Sequence, residues 1–310
     1  MSSFITTFAA LAPIFALAAL GFLVAKTGII SRAASSGLSE FVNVLAIPAL
    51  LFRAVTEAKT PDVNPFPYWA SYFIALFTVW FIADTFARRS GRQGREAAIA
   101  GFASAQSNTV MVGLPVILST VGEAGKLPIV ILLAVHLSIT MTGVSVLIAR
   151  GEGGGWGALL KGLVTNSIFL AIIAGLAFRF SGWPMPKVAT DLLRMIGDTA
   201  TPCALVAMGM SLTAISFGGA RLMIVIITLL KLILHPALVY VLAVYVFRLP
   251  PAYAASAVIF AACPTGIQAY LIAERFKAGA VVASGAIGLS TTLAIFTMTV
   301  AVTMAMALLR

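Results

Sequence analysis

Ten apolar segments follow one another through this 310-residue chain, each long enough to cross a bilayer as a helix, with short polar joints between them. They run approximately over residues 4–25, 35–57, 68–87, 97–119, 126–149, 158–180, 191–213, 221–247, 252–274 and 279–309. A membrane-crossing helix needs about 20 mostly apolar residues, and in hydrocarbon a helix satisfies its own backbone polar groups. The expected fold class is therefore an all-α membrane protein of ten transmembrane helices. Composition closes off a large soluble domain, since 61% of residues are hydrophobic and 10% charged, where a soluble domain carries about 25% charged residues. The net charge of +10 is spread as punctuation between apolar runs rather than gathered on one face, so a nucleic-acid partner is not expected and the bilayer is.

Cys203 and Cys263 both lie inside apolar runs and read as small buried hydrophobes. The first run starts at Phe4 with no basic residue before it and reads as the first span rather than a signal peptide. If the N-terminus is outside, the inward joints hold eleven basic residues, among them Arg88, Arg89, Arg92 and Arg95, and the outward side holds seven. The positive-inside rule then places both termini outside, in the plasma membrane, or the inner membrane of a bacterium.

The two halves of the chain resemble each other. Ile47-Pro48-Ala49-Leu50 in the second segment matches Thr201-Pro202-Cys203-Ala204-Leu205 in the seventh, with the prolines 154 residues apart. Leu137-Ser138-Ile139-Thr140 in the fifth matches Leu289-Ser290-Thr291-Thr292 in the tenth at an offset of 152. The same pairing sets Pro115 of segment four against Pro264 of segment nine. A repeat of five spans inserts its second copy upside down, which is the inverted-repeat plan of secondary transporters. The expected organisation is residues 1–150 as the first repeat, a Gly-rich link at 151–157 and residues 158–310 as the second.

Segments four and nine hold the polar residues. The fourth reads Gln106-Ser107-Asn108-Thr109 with Gly113 and Pro115 following, and the ninth reads Pro264-Thr265-Gly266-Ile267-Gln268. Asn108 lies eleven residues after Ala97, hence about 16 Å deep in a core about 30 Å thick, and Pro264 reaches the same depth from the other side. A helix restarting after each proline aims unpaired N–H groups and its positive dipole end at the middle, which favours an anion. Asn108, Thr109, Thr265 and Gln268 add donors without negative charge. The implied ligand is a carboxylate.

These residues resemble the auxin efflux carrier family, which includes the plant auxin carriers and bacterial carriers of malonate and other organic anions. The likeness rests on Phe41-Val42-Asn43-Val44-Leu45-Ala46-Ile47-Pro48-Ala49-Leu50-Leu51-Phe52, on Asn108-Thr109 with Gly113 and Pro115, and on Pro264-x-Gly266-Ile267. Leu11-Ala12-Pro13-Ile14-Phe15 and the Lys231 to Pro236 stretch are similar to the malonate-carrier branch. The resemblance implies two inverted five-helix repeats, a transport unit moving against a scaffold in elevator fashion, and broken helices four and nine crossing at the site. It further implies that Asn108 and the backbone around Pro115 and Pro264 contact the substrate carboxylate. The substrate is left open between malonate, an auxin-like acid and other mono- or dicarboxylates.

Four ionisable residues within or near spans have two readings each. His136 is a packing histidine or a proton relay. Lys231 and His235, four apart on one face, are a cationic lining, or the lysine snorkels to the interface. Asp198 is a proton-coupling carboxylate or a helix cap. Arg53 with Glu57, and Asp84 with Arg88, form i,i+4 ion pairs. An alternative to the anion carrier is a sodium-coupled symporter of bile-acid-symporter-like architecture, disfavoured because segments four and nine contain no carboxylate at their centres. Two histidines and ten scattered acids form no catalytic or metal-binding cluster, so neither an enzyme nor a cofactor or metal is expected. Gly279, Gly285 and Gly288 in the tenth segment permit close helix approach, within the bundle or in a homodimer.

Overall fold

Helix is what an apolar chain of this kind can form in lipid, and the computed structural model describes residues 2–57, 64–92, 94–149, 167–214 and 220–309, almost all of them helical. The Gly-rich link at 151–157, residues 158–166 at the start of the sixth segment, and Lys59, Arg150, Lys161 and Arg310 lie outside the described residues.

The first half begins with α1 (Ser2–Lys26), α2 (Arg32–Phe41), α3 (Ile47–Glu57) and α4 (Phe66–Arg89). It continues with α5 (Arg95–Ala105), α6 (Leu114–Thr120) and α7 (Glu123–Ala149). The second half has α8 (Ser167–Ser181), α9 (Lys187–Asp198), α10 (Ala200–Ser211), α11 (Arg221–Leu229) and α12 (His235–Val241). It ends with α13 (Pro251–Ala262), α14 (Gln268–Arg275) and α15 (Ala280–Ala307). Among the described residues, six helices are long and apolar enough to cross a membrane, including Ala33–Glu57, Arg221–Val246 and Ala280–Ala307. Ser167–Ser181 and Pro251–Ala262 are apolar but shorter.

Several long helices widen locally, and three of the wide turns have one cause. π turns at Val42–Ala46, Thr109–Gly113 and Leu230–Leu234 each end two residues before a proline, at Pro48, Pro115 and Pro236. Proline lacks an N–H, and its ring presses on the carbonyl four residues back. In all three cases that carbonyl belongs to the widened turn, so the chain relieves the clash by bonding five residues back: Ile47 N–H to Val42 O, Leu114 N–H to Thr109 O, His235 N–H to Leu230 O.

The seventh segment, expected as one helix over 191–213, is two. Pro202 cannot donate to the Asp198 carbonyl, and the helix breaks at Thr199, which keeps helical angles (φ −75°, ψ −18°) and bonds Ile196 O through both its N–H and its hydroxyl. The result is two helices, α9 and α10, joined at Thr199.

Two helix pairs set the packing. α10 lies against α1, where glycines let the backbones touch: a Cβ at Gly209 would fall on the Ala18 carbonyl, and one at Gly21 on the Val206 carbonyl. α8 packs likewise on α3, with Gly175 against Phe52 and Val55. On the other side α4, α5, α7, α13 and α15 enclose the polar centre. Gly285 of α15 receives the Ile224 side chain from α11, so this glycine serves packing within the bundle.

Candidate functional site

The polar centre is built from two helix interruptions that complete each other. At the end of α5 the backbone turns extended at Gln106 (ψ 108°), and the chain leaves helix until Asn108. At the end of α13 it does the same at Cys263 (ψ 145°) and stays irregular through Ile267. Ser107 and Thr265 then face one another as an antiparallel bridge. Asn108 N–H donates to Pro264 O (2.8 Å) and Gly266 N–H donates to Gln106 O (2.9 Å). Each break thereby satisfies backbone groups that the other frees, which is what irregular backbone at membrane depth requires.

Side chains hold this joint from three further directions. Thr265 donates its hydroxyl to Ala103 O (3.0 Å), the α5 carbonyl that a continuous helix would have offered to Ser107 N–H. The Thr265 N–H donates to Ser290 Oγ of α15 (3.0 Å), and Tyr72 of α4 donates to Ser107 Oγ (3.2 Å). Close approach demands glycine at two places. A Cβ at Gly266 would stand 2.6 Å from Gln268 Oε1 and 3.1 Å from Ser107 O, and one at Gly113 would stand 2.9 Å from Cys263 Sγ.

Asn108 serves the break in two ways. Its Oδ1 accepts from Met111 N–H (3.3 Å), capping the turn that restarts at Thr109. This corrects the expectation that the chain restarts after Pro115: the restart is set by Asn108, and Pro115 is buried in the first turn of α6, beyond the break. Pro264 lies inside its own interruption, and α14 restarts at Gln268. Thr109, Thr265 and Gly266 are buried at the joint, and Gln268 is partly buried with Oε1 unpartnered among the described residues. The first-turn N–H groups of Thr109 and Val110, and of Gln268, have no acceptor upstream in their own helices.

Behind the joint stands a buried lysine. Lys231, in the π turn between α11 and α12, is fully enclosed, donating to Ala261 O (2.6 Å) and lying 3.1 Å from His235 Nδ1. The interfacial reading of Lys231 is thereby overturned, because Nζ ends on an inward carbonyl rather than at a surface. The rings of His136 and His235 both pack on Tyr72, at 5.6 Å and 5.4 Å between centroids. Both ring nitrogens of His136, His235 Nε2 and the whole Gln106 amide are buried without a partner among the described residues.

Asp198 is placed elsewhere. It ends α9, is exposed, and pairs with Arg53 (3.4 Å), which also faces Glu57 at 3.8 Å. Asp84 and Arg88 form the expected pair at 2.6 Å. Reading the sequence alone passes over Tyr72, Gln106, Ser107 and Ser290 as members of the polar centre. Gln106 and Ser107 sit next to Asn108 and Ser290 lies in the repeat motif, so the signal was present, whereas nothing in the sequence near Tyr72 marks it.

A cleft of about 440 Å³ opens between α1, α10 and α15, walled by Phe15 and Phe22 of α1, Met208 of α10, and Thr291, Thr292 and Ile295 of α15. It is apolar except for the threonine hydroxyls, and Thr291 Oγ1 is buried and unpartnered among the described residues. An organic molecule with an apolar body and a polar end fits such a lining.

Comparison with known proteins gives the same direction. A family model described as "Membrane transport protein" matches residues 6–155 and 157–302. A protein of Rhizobium meliloti (strain 1021) named "Putative malonate transporter" is 26% identical over 296 residues, covering 93% of this chain and 92% of its own. An "Uncharacterized transporter" of Methanothermobacter thermautotrophicus (strain Delta H) is 23% identical over 200 residues, 64% of this chain and 66% of its own.

Proposed function

Because the chain belongs to the membrane transport protein family, that of the auxin efflux carriers, we propose that it is a secondary active transporter of a small organic anion working by alternating access. Membership makes it a multi-pass membrane transporter and not an enzyme. The observation that carries the finer reading is the mutual bonding of the two interruptions, Asn108 N–H to Pro264 O and Gly266 N–H to Gln106 O. Two half-helices begin beside that joint with first-turn N–H groups directed toward it, the arrangement that stabilises a carboxylate. Asn108, Thr109, Thr265 and Gln268 supply neutral donors around it, with Gly113, Pro115, Pro264 and Gly266 shaping the backbone.

The moving parts follow from the packing. The pairs α1–α10 and α3–α8 are related by exchanging the halves of the chain, which supports two inverted five-span repeats on either side of the 151–157 link. These pairs form a scaffold, and the elements around the joint form the unit that carries substrate past it, with the cleft between α1, α10 and α15 as the way in. Both termini face outward from a plasma or bacterial inner membrane. The cargo is a mono- or dicarboxylate of the malonate or auxin-like kind, dicarboxylate being favoured by the name of the Rhizobium relative. Protons are the candidate coupling ions, and a homodimer is the candidate assembly.

The test is uptake of labelled mono- and dicarboxylates into proteoliposomes, with and without an inward proton gradient. Saturable, counterflow-competent uptake of one anion is expected. Absence of any carboxylate transport by folded protein, or uptake that does not saturate, would send the reading to neutral or cationic cargo or to a channel.

A further inference from the structure

The two interruptions are alike in their backbone and unlike in what closes their carbonyl ends. At α5 the freed carbonyl, Ala103 O, accepts a neutral hydroxyl from Thr265 (3.0 Å). At α13 the corresponding carbonyl is Ala261 O. In a continuous helix it would accept from Thr265 N–H, but that N–H is bonded to Ser290 Oγ (3.0 Å). The vacated acceptor is taken instead by the Lys231 ammonium at 2.6 Å.

A full charge at that point has a physical rationale. The C-terminal end of a half-helix carries partial negative charge and unwound carbonyls, the environment in which coupled transporters bind their cation. Lys231 is fully buried, and no carboxylate among the described residues pairs with it. The titratable groups packed about it are His235 on its own segment, Cys263 at the break, His136 of α7 and Tyr72 of α4, none of them a carboxylate. As an ammonium Lys231 has only protons to give, so His235 Nδ1 receives one and the histidine carries its own proton on Nε2. The charge is compensated by a carbonyl and an imidazole lone pair, much as a bound alkali cation would be. The Lys231 head also lies on the carbonyl two residues before Cys263, so it fixes the turn that presents Pro264, Thr265 and Gly266 to the other break.

We propose that Lys231 is a tethered counter-cation: its ammonium fills the place at the end of α13 that a coupling cation would take, so the carrier cycle runs without Na⁺. Lys231 is a positioning residue, acting on substrate through the Ala261 carbonyl and the Cys263–Gly266 turn. The proposal rests on the transporter reading given above and removes the sodium-coupled alternative.

Two measurements on the purified full-length chain decide it. Thermal unfolding, followed by the fluorescence of its four tryptophans, is compared in NaCl, KCl and choline chloride. Uptake of the transported carboxylate into proteoliposomes is compared in the same salts. The wild-type chain is expected to melt and transport identically in all three. Lys231→Ala is expected to lose uptake by about tenfold or more, the factor that about 1.4 kcal/mol carries. Added methylammonium should restore part of both stability and uptake, while propanol, which fills space without charge, should not. A wild-type melt or rate that rises specifically with Na⁺ overturns the proposal. So does a folded Lys231→Ala protein that transports at the wild-type rate, or rescue by propanol equal to that by methylammonium. Should Lys231→Ala fail to fold, Lys231→Arg, which keeps the charge, is expected to retain salt-independent melting, and Na⁺-dependent melting of that variant refutes the idea. If no carboxylate is transported in any salt, the function reading fails, while the melting curves still decide the cation claim.

Discussion

Asn108 binds in two directions, its N–H to Pro264 O and its Oδ1 to Met111 N–H, so its amide nitrogen is left to reach outward. Truncation to alanine keeps the backbone bond and removes the cap, worth about 0.5–2 kcal/mol, together with the proposed substrate donor. Asn108→Ala is therefore expected to fold and to lose at least about tenfold in initial uptake rate, because a buried donor matched to a charged ligand contributes about 1.5–3 kcal/mol. Wild-type uptake in that variant would take Asn108 out of the site. Asp198 gives the opposite expectation. It is exposed and its link to Arg53 is a surface pair, worth about 0–1 kcal/mol. Asp198→Asn should leave both the uptake rate and its dependence on the proton gradient within about twofold of wild type. Loss of gradient dependence would restore it as the coupling group.

Proline and glycine govern the helices at the next scale, for different reasons. Prolines 48, 115 and 236 each follow a widened turn, and Pro202 follows the break between α9 and α10, so these departures from regular helix are written in the sequence where an N–H is missing. Glycine marks where helices touch, and its effect depends on what lies opposite. Gly209 faces the Ala18 carbonyl with no room for a methyl group, while Gly37 of α2 faces open space. Gly209→Ala should lower stability by about 1–3 kcal/mol, as overpacking does. Gly37→Ala should leave stability unchanged or raise it by up to about 1 kcal/mol, since alanine is the better helix former. Thermal unfolding of the two variants in parallel checks the order, and an equal effect would mean that α1 and α10 can part without cost.

For the molecule as a whole, the cleft between α1, α10 and α15 is where the proposed scaffold and moving unit meet. A covalent tie across it should stop a cycle that needs relative motion. Ala19 and Thr292 both line the cleft, one on each side. With Cys203→Ser as background, Ala19→Cys combined with Thr292→Cys and treated with a short bifunctional thiol reagent should lose uptake, and reduction of a cleavable linker should restore it. Each single cysteine should be insensitive. Undiminished transport by the fully cross-linked protein would mean that α15 does not move against α1 and that the two-unit description is wrong.

Much of this was legible in one dimension because the physics is local. Apolar run length makes helices of a lipid-bound chain, the paired prolines and amides of 106–115 and 264–268 mark where those helices fail, and four-residue spacing puts Lys231 beside His235 and Arg53 beside Glu57. What local pattern cannot carry is which freed group meets which. That Thr265 and Lys231 close the carbonyl ends of α5 and α13, and that Tyr72 packs on two histidines, depend on contacts between residues far apart in sequence. Segment length and side-chain chemistry set the demand for partners at the centre of the bundle, and only the packing of the two halves decided which residues supplied them.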